Sequence, residues 1–256
     1  MNHNNTSFQV QLSNLEVLHS IVNYRINLRI FWFWIDDLKV STINNKFIIS
    51  YRHPVINKLV YEFLDKETDN SSCEKTHIEN HYVYNTENYI DLIGVKFKNF
   101  RRKINHFTKF HPINNITSQK LKHCENDLII SLYQKFSIDK EDNDLIEKER
   151  KALQKTLKYK SDLDTLVVYF LYIKDEIQGF SIVDYYNTNT AYIPFIKSNK
   201  NKKSSMYYFF QKICLELHKQ KISKLNFEDD LNEIGIAQFK KTLGPSEIIS
   251  NKCYII

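Results

Sequence analysis

From Leu163 to its end, the chain alternates between strand-like and helix-like runs in an order that restricts the fold class. Three strand-like runs come first: LVVYFLYI, IQGFSIVDYY and TAYIPFIK. Their short polar connections, KDE with Gln178-Gly179 and then Asn187-Thr188-Asn189, predict an antiparallel meander. A helix (MYYFFQKICLELHKQ), a strand (KLNFE), a turn at Asp229-Asp230-Leu231, a helix from Glu233 to Leu243 and a final strand (EIISNKCYII) follow. This order predicts an α+β fold, a mixed sheet with helices on its faces.

A second constraint is the stretch from Tyr89 to His111. It reads as a short apolar strand, a turn at Gly94 and a helix that Pro112 terminates. Four apolar residues recur at helical spacing and predict one buried face: Phe97, Phe100, Ile104 and Phe107. The other faces carry only cations: Lys96, Lys98, Arg101, Arg102, Lys103 and Lys109. This pattern is typical either of a solvated amphipathic helix or of one that faces a polyanion, because unpaired like charges repel each other.

Composition excludes several classes of protein. The 256 residues include 36 Lys and Arg against 30 Asp and Glu, a net charge of +6, and 42% are hydrophobic, which argues against a disordered chain. The four cysteines form no CxxC pair, so neither a zinc site nor a disulfide framework is indicated, and no metal is expected. No signal-peptide layout is present, and the run from Ile30 to Ile35 is too short to cross a bilayer. We therefore expect a cytoplasmic protein, with peripheral contact to an anionic membrane surface left open.

The remaining segments give coarser predictions. Residues 8–27 and Val55 to Phe63 read as helices, Phe31 to Trp34 as a core plug, and residues 65–77 as a surface loop. Asn44-Asn45 predicts a hairpin turn. Beyond Pro112 we predict two helices: the first capped by Thr117 or Ser118, the second from Leu145 to Leu157, with a break at Lys140 to Asn143.

The loop from Ser198 to Ser205 is a candidate anion site. It contains Lys200, Lys202 and Lys203 and leads to Ser204 or Ser205 at the start of a helix, where free N–H groups and the helix dipole favour anions. An ordinary solvent loop in a lysine-rich chain is the alternative. No two glycines lie close together, so a glycine-rich phosphate loop is absent, which argues against acetyl-CoA held in that way.

The second candidate lies in KLNFEDDLNEIG. Asn226, Glu228 and Asp230 alternate, so on a continuing strand all three side chains would point to one side. Glu228 is a candidate general base or positioning group for an attacking amine or hydroxyl. Asp229 and Asp230 are more simply helix caps. Lys240 is either a source of positive charge for an oxyanion or a surface lysine.

Several blocks resemble a known family. YVYNTENYIDLIGVKFKNFRRKINHF is similar to the block YxY…L…L.G.K…KRN.I..F of the phosphatidylglycerol lysyltransferase C-terminal-like family. In the same order, ERKAL resembles its E..A... helix start, FIKSN resembles FEKAN, and NFEDDLNEIGIAQFKKTLGP resembles N.E.DLG..GLR..K.S..P. The early FWFWIDDLKVSTINNKFIISY resembles F..W...Y.I...N..L.I. The likeness covers nearly the whole chain.

The resemblance implies a GNAT-like acyltransferase fold, with two tandem halves at residues 1–112, which include the basic helix 95–111, and 113–256. It implies a cleft between the halves, where an aminoacyl-tRNA or acyl-CoA donor meets its acceptor. The positions that match the family's motifs are Arg101, Arg102, Asn105, Lys197, Asn199, Asn226, Glu228, Asp230, Gly235 and Lys240. The chain departs from the family at Ile196 (Glu), Asn232 (Gly) and Ala237 (Arg), and it lacks the Gly after FEKAN, which leaves altered specificity or lost activity open.

These observations predict an acyltransferase without a resident cofactor. The donor is expected to be an aminoacyl-tRNA or acyl-CoA, and the acceptor an amine or hydroxyl of a small molecule, peptide or lipid. Glu228 and Lys240 are the predicted catalytic residues, and Asn226 and Asp230 are predicted to bind the acceptor. The predicted donor-binding residues are Arg101, Arg102, Lys197, Asn199, Lys202, Lys203 and Ser204. The alternatives are a non-catalytic protein that binds RNA or an anionic membrane through the basic helix, and an inactive relative.

Overall fold

The structure, a computed structural model, describes residues 7–9, 34–35, 39–43, 46–52, 59–63, 75–137, 144–185 and 188–255. The chain divides into two compact units, of residues 1–80, 143–155 and 250–256, and of residues 81–142 and 156–249. The bounds of these units differ from those of the predicted halves, 1–112 and 113–256. That the chain consists of tandem GNAT-like halves stays a prediction.

The first unit contains an antiparallel meander, whose strands are β1 (Ser7–Gln9), β2 (Lys39–Ile43), β3 (Lys46–Arg52) and β4 (Leu59–Phe63). Ile43 pairs with Lys46, which confirms the hairpin predicted at Asn44-Asn45. The helix predicted for 55–63 is wrong from Leu59 onward, because a short apolar run with helical spacing also suits a strand.

Other predictions for this unit fall largely outside the described residues. The helix predicted for 8–27 is wrong at residues 8–9, which belong to β1, and its remainder is outside. Of the predicted core plug, Phe31, Trp32 and Phe33 are outside, while Trp34 is half-buried. The predicted loop 65–77 is a strand from Lys75 onward and lies outside before that residue.

The second unit is built on a mixed sheet of seven strands. They are β5 (Lys75–Asn85), β6 (Asn114–Lys120), β7 (Leu166–Ile173), β8 (Glu176–Asp184), β9 (Thr190–Ser198), β10 (Lys224–Asp229) and β11 (Glu247–Ile255), of which β5 and β11 extend past the bounds of the unit. Their order is β11-β5-β10-β9-β8-β7-β6. β9 and β10 are parallel, whereas β5 pairs antiparallel with β10, and β6 to β9 form antiparallel pairs.

The predicted meander is confirmed as β7 to β9. Its first turn consists of Lys174 and Asp175, whose positive φ values of 50° and 65° suit a tight hairpin. Gly179, predicted beside that turn, lies inside β8. Because glycine has no side chain, β9 can approach closely at this position: a Cβ there would lie 2.9 Å from the Lys197 carbonyl oxygen.

Helices of the second unit flank this sheet. They are α1 (Asn88–Asp91), α2 (Lys98–Phe110), α3 (Asn126–Ser137), α5 (Ser205–Lys219) and α6 (Ile234–Thr242), with 3₁₀ turns at Val95–Phe97, Leu121–His123 and Lys160–Asp162. The remaining helix, α4 (Asp144–Lys158), lies mainly in the first unit. α4 confirms the helix predicted from Leu145 to Leu157, and α5 and α6 confirm those of the C-terminal part. The predicted α+β class is confirmed.

Two local predictions in this unit are wrong. Residues 89–91 form a helical turn rather than a strand, since Leu92 adopts a left-handed conformation that reverses the chain. Thr117 and Ser118 lie in β6 and cap no helix. β6 is a largely exposed edge strand, so no alternation of apolar side chains marked it.

The basic helix α2 is anchored as its apolar stripe predicts. Phe97, Phe100, Ile104 and Phe107 are all buried, and Phe107 stacks on Tyr208 of α5 with ring centroids 4.6 Å apart. Full burial of each such side chain contributes about 1.5–3 kcal/mol. Within the described part of the chain, no helix is long and apolar enough to cross a bilayer.

Candidate active site

The candidate site is built at the carboxyl end of β10, where the strand is irregular. Asn226 pairs with Val83 of β5 and Asp229 with His81, so three steps along β10 match two along β5. This is a β-bulge. Glu228 occupies it with a φ of 55°, and its N–H donates to Asn226 Oδ1 at 2.8 Å. Alternation along the strand is therefore broken, and the prediction that Asn226, Glu228 and Asp230 share one face through a continuing strand is wrong.

The Glu228 carboxyl group is mostly enclosed. Its side chain is 14% exposed, and His81 Nδ1 lies 3.6 Å from Oε2. Burial raises the pKa of Glu228, while His81 and then Lys240 act against that rise and Asp184 adds to it. Oε1 is buried and has no hydrogen-bond partner among the described residues. A desolvated carboxylate with one oxygen that accepts no hydrogen bond is suited to accept a proton.

Lys240, on α6, is buried beneath this bulge and 5% exposed. Its ammonium group donates to three successive carbonyl oxygens of β10, those of Phe227, Glu228 (3.2 Å) and Asp229, and lies 4.6 Å from the centroid of the Phe227 ring. Burial lowers the pKa of Lys240 to about 8, against the opposing effect of the three nearby carboxyl groups. The hydrogen bonds from the Lys240 ammonium group thus stabilise the bulge at the end of β10.

Asp230 fixes the turn that follows. Tyr82 of β5 donates its hydroxyl to Asp230 Oδ2 at 2.7 Å, and the Asn232 N–H donates to Oδ1 at 3.0 Å. Both carboxylate oxygens of this buried side chain therefore have partners within the protein. Leu231 and Asn232 also have positive φ, so left-handed residues concentrate around the site, as is common where backbone strain serves function.

Two aromatic residues fix α6 against the sheet. Tyr84 donates its hydroxyl to the Lys240 carbonyl oxygen at 2.9 Å, and Tyr89 donates to that of Leu243 at 2.6 Å. Both side chains are fully buried. The helix that carries Lys240 is thereby set at a fixed height over β5 and β10.

Sequence reasoning missed three residues of this site. His81 and Tyr82 come from β5, about half the chain away from Glu228, and Asp184 comes from the end of β8. Asp184 is fully buried and accepts a hydrogen bond from Thr165 Oγ1 at 2.6 Å. The sequence signal that could have identified them is a polar residue within an apolar strand, because a buried His or Asp needs a hydrogen-bond partner or has a function.

The predicted anion loop after β9 is well defined. Asn199 Nδ2 donates to Gln178 Oε1 at 2.8 Å, and Asn199 Oδ1 accepts from the Asn201 N–H, so this side chain builds the loop. Ser204, at the N-cap of α5, has a φ of 70° and makes no side-chain cap hydrogen bond. Ser205 donates to Ser198 Oγ at 3.0 Å.

The lysines of this segment differ in exposure. Lys197 is buried, with Nζ 5.5 Å from the centroid of the Tyr133 ring. Lys200 and Lys203 are exposed, and Lys202 is half-buried. Exposed ammonium groups at a helix start suit a polyanion better than a small buried anion.

The loop and Glu228 lie at the same edge of the sheet, because β9 and β10 run parallel. Tyr192 pairs with Asn226, so β9 runs on past the bulge to Ser198. At the usual strand rise, Ser198 is about 10 Å farther along than Asp229. That the loop and Glu228 face one groove stays a prediction.

The two arginines of the basic helix have different surroundings. Arg101 Nη1 donates to the carbonyl oxygens of Leu92 and Gly94, the latter at 3.0 Å, and so ties the preceding loop to α2. Arg102 is exposed. Burial lowers the pKa of His111, and Lys202 adds to that shift, which places the lysine loop near the C-terminal end of α2.

Neither a metal site nor an activated thiol emerges from the residues described. No group of three or more His, Cys, Asp or Glu side chains among them is arranged to hold a metal ion. Cys124 and Cys214 are free and buried, and burial raises the pKa of both thiols, which disfavours the nucleophilic thiolate.

Comparison with known proteins gives a family match. The family model described as "Phosphatidylglycerol lysyltransferase, C-terminal" matches residues 60–250. No curated protein matches the chain significantly. The resemblance predicted from the motifs is therefore confirmed over most of the chain.

Solved structures with the same fold include proteins of low sequence identity. A conserved protein of unknown function from Bacteroides thetaiotaomicron has a TM-score of 0.71 and 18% identity, covering 98% of this chain and 99% of that one. The structure of L-PGS from Bacillus licheniformis has a TM-score of 0.62 and 12% identity, covering 96% and 92%. These structures share the α+β fold of this chain, and its predicted GNAT-like character stays a prediction.

Proposed function

Because the chain belongs to the phosphatidylglycerol lysyltransferase C-terminal family, whose model matches residues 60–250, we propose that it is an acyltransferase acting through Glu228. The donor is an aminoacyl ester of tRNA or an acyl thioester of CoA. The acceptor is an amine or a hydroxyl group. The identities of donor and acceptor are part of this proposal.

The observation that carries the proposal is the position of Glu228. Glu228 occupies the bulge, burial raises the pKa of its carboxyl group, and Oε1 has no hydrogen-bond partner among the described residues. A general base works best when its pKa lies near the working pH, and burial moves a carboxyl group in that direction. His81 beside it acts against this rise in pKa.

The reaction proceeds by direct transfer. Glu228 accepts the proton of the acceptor N–H or O–H while the freed lone pair attacks the carbonyl carbon of the donor. A new C–N or C–O bond forms, and the C–O bond to tRNA or the C–S bond to CoA breaks. The leaving alkoxide or thiolate then takes up the proton. Holding both substrates in line supplies much of the acceleration, since no covalent intermediate is required.

Lys240 acts in this proposal as a positioning residue. Its ammonium group is occupied by the carbonyl oxygens of residues 227–229, and it fixes the bulge from which the Glu228 side chain projects. This assignment replaces the predicted direct contact with an oxyanion. Asn226 has a similar role, since its amide oxygen accepts from the Glu228 N–H.

The donor's phosphates are assigned to the lysine loop. Lys200, Lys202 and Lys203 precede the N-terminus of α5, where helix dipole and ammonium groups both favour anions. The parallel arrangement of β9 and β10 supports this assignment, because it places the loop and Glu228 at one edge of the sheet. The carboxyl ends of parallel strands are a common place for ligands.

A transfer assay with a matched control tests the proposal. Purified protein is incubated with radiolabelled lysyl-tRNA or acetyl-CoA and with phosphatidylglycerol vesicles or spermidine, and label in the acceptor is counted. Glu228→Gln is expected to lower turnover about 100-fold or more, because the amide cannot accept the proton. Glu233→Gln, an exposed change five residues on, is expected to keep full turnover. Equal turnover in the Glu228→Gln variant would end the assignment of the base, and absence of transfer in every donor and acceptor pair would count against the activity.

A further inference from the structure

Three aliphatic side chains project into solvent at the loop before the basic helix. Ile90 is 47% exposed, Ile93 77% and Val95 87%. We call this segment, residues 90–95, the aliphatic tip. Single exposed apolar residues are common on protein surfaces, but a contiguous group marks a contact surface.

The exposure of the tip is built into the fold. Leu92 within it and Phe97 just after it are buried, whereas all four residues between them, 93–96, are exposed. Arg101 Nη1 donates to the carbonyl oxygens of Leu92 and Gly94, which holds the loop against α2. Leu92 and Gly94 have φ values of 53° and 98°, and between them Ile93 is presented outward. The tip is therefore a fixed projection with three internal anchors.

Cations continue from the tip along the outer face of α2. Lys98, Arg102 and Lys109 are exposed, and together with the exposed, uncharged Asn105 they recur at helical spacing opposite the buried stripe. No acidic residue occurs between Leu92 and Cys124; Asp91, within the tip, is exposed, and Glu87 precedes the tip. Phe110 and Ile113, 62% and 65% exposed, lie at the far end of the helix. Apolar side chains thus stand at both ends of a cationic stripe.

We propose that this face docks on an anionic lipid bilayer, with the aliphatic tip in the headgroup region and the stripe against the lipid phosphates. Aliphatic burial and charge attraction together provide the two signals that reversible membrane attachment needs. RNA would neutralise the same cations but offers no comparable environment for Ile and Val, since nucleic acids reward stacked aromatic rings and phosphate contacts. The four exposed aliphatic residues favour the membrane. This inference does not depend on the proposed acyl transfer.

Cosedimentation with vesicles tests the surface without any donor or acceptor turnover. The full chain is mixed with vesicles of phosphatidylcholine and phosphatidylglycerol in equal parts, and with vesicles of phosphatidylcholine alone. We expect binding to the anionic vesicles that weakens as salt is added, and little binding to the neutral ones. Unchanged binding to both kinds of vesicle would overturn the electrostatic part of the proposal, and no binding to the anionic ones would overturn it entirely.

Paired variants separate the two contributions. Ile93→Ser with Val95→Ser is expected to weaken anionic-vesicle binding at least tenfold, because the burial of two side chains is lost. Arg102→Gln with Lys109→Gln should weaken it about five-fold for each charge removed. Ile234→Ser, on an equally exposed isoleucine of α6, and Lys241→Gln, on an exposed lysine there, are the matched controls and should change nothing. All these side chains are solvent-exposed, and circular dichroism checks that each variant is folded.

A gel-shift assay with single-stranded RNA supplies the competing outcome. Should the two charge changes abolish RNA binding while the two serine changes leave vesicle binding unaffected, the face is a nucleic-acid surface and the proposal is wrong. Loss of vesicle binding in both the serine and the glutamine variants, with both controls unaffected, establishes the membrane surface.

Discussion

The phenol of Tyr82 and the carboxylate of Asp230 are joined by a hydrogen bond of 2.7 Å, although the two residues lie 148 positions apart in the chain. Through it, β5 holds the turn that follows β10, and that turn leads directly into α6. Both side chains are buried. Burial and then this hydrogen bond raise the pKa of Tyr82.

Tyr82→Phe is expected to lower the free energy of unfolding by about 2 kcal/mol, because a buried carboxylate oxygen loses its donor. Urea unfolding followed by circular dichroism measures this change. The matched control is Tyr207→Phe, which removes an exposed hydrogen bond of 3.0 Å to Thr242 and should cost less than about 0.5 kcal/mol. Equal losses for the two variants would show that the Asp230 bond has no special weight.

Lys240→Met leaves the carbonyl oxygens of residues 227–229 without their common donor. We expect a loss of about 1–3 kcal/mol in the free energy of unfolding, together with a lower kcat as the bulge relaxes. Lys241→Met, on the exposed neighbour, serves as the control. Wild-type stability in Lys240→Met would contradict a positioning role.

The same lysine predicts how stability depends on pH. Its pKa in the folded protein is about 8, below the ordinary 10.5, so between these values the unfolded chain binds more protons than the folded one. The contribution of Lys240 to the free energy of unfolding therefore rises with pH through this window and is constant below it. Subtracting the pH profile of Lys240→Met from that of the wild type isolates this term; a difference that is flat, or that falls with pH, would contradict the assignment.

His81→Gln predicts a shift in the pH dependence of activity. His81 lowers the pKa of Glu228, so its removal should raise that pKa further. Because the base acts in its charged form, kcat/KM should rise with pH in the wild type, and the rising limb should move to higher pH in the variant. A profile that keeps its midpoint while only its height changes would point to a structural role for His81.

Two glycines form a matched pair for packing. Gly179→Ala places a methyl group 2.9 Å from the Lys197 carbonyl oxygen and 3.2 Å from Ser198 Cβ, so the β8–β9 pair must separate and stability should fall by about 1–3 kcal/mol. Gly235→Ala, in α6, meets nothing within 4 Å and should be neutral or stabilise by up to about 1 kcal/mol. Thermal unfolding of both variants decides the comparison, and stabilisation by Gly179→Ala would refute it.

Sequence patterns predicted those helices and strands in which apolar residues recur with a regular spacing. The stripe of α2 and the apolar strands β7 to β9 are of this kind, and the α+β class followed from them. β6 escaped prediction because an exposed edge strand has no apolar alternation, and β4 because five residues fit a helix or a strand equally well.

The candidate site divides in the same way. Glu228 and Lys240 could be named from one short segment with a local pattern, whereas His81 and Tyr82 join them through the pairing of β5 with β10. No local pattern contains that pairing. The bulge could not be predicted either, because one extra residue in β10 is recognised only from its pairing with β5.

That excess residue has a consequence for how the protein tolerates change in length. Deleting one residue between Asn226 and Asp229 would restore an uninterrupted ladder to β5, and the resulting chain would gain regularity while losing the bulge that Glu228 occupies. A scan of single substitutions does not produce this one-residue deletion. In this protein the placement of the Glu228 carboxyl group depends on the count of residues in a strand as much as on their identity.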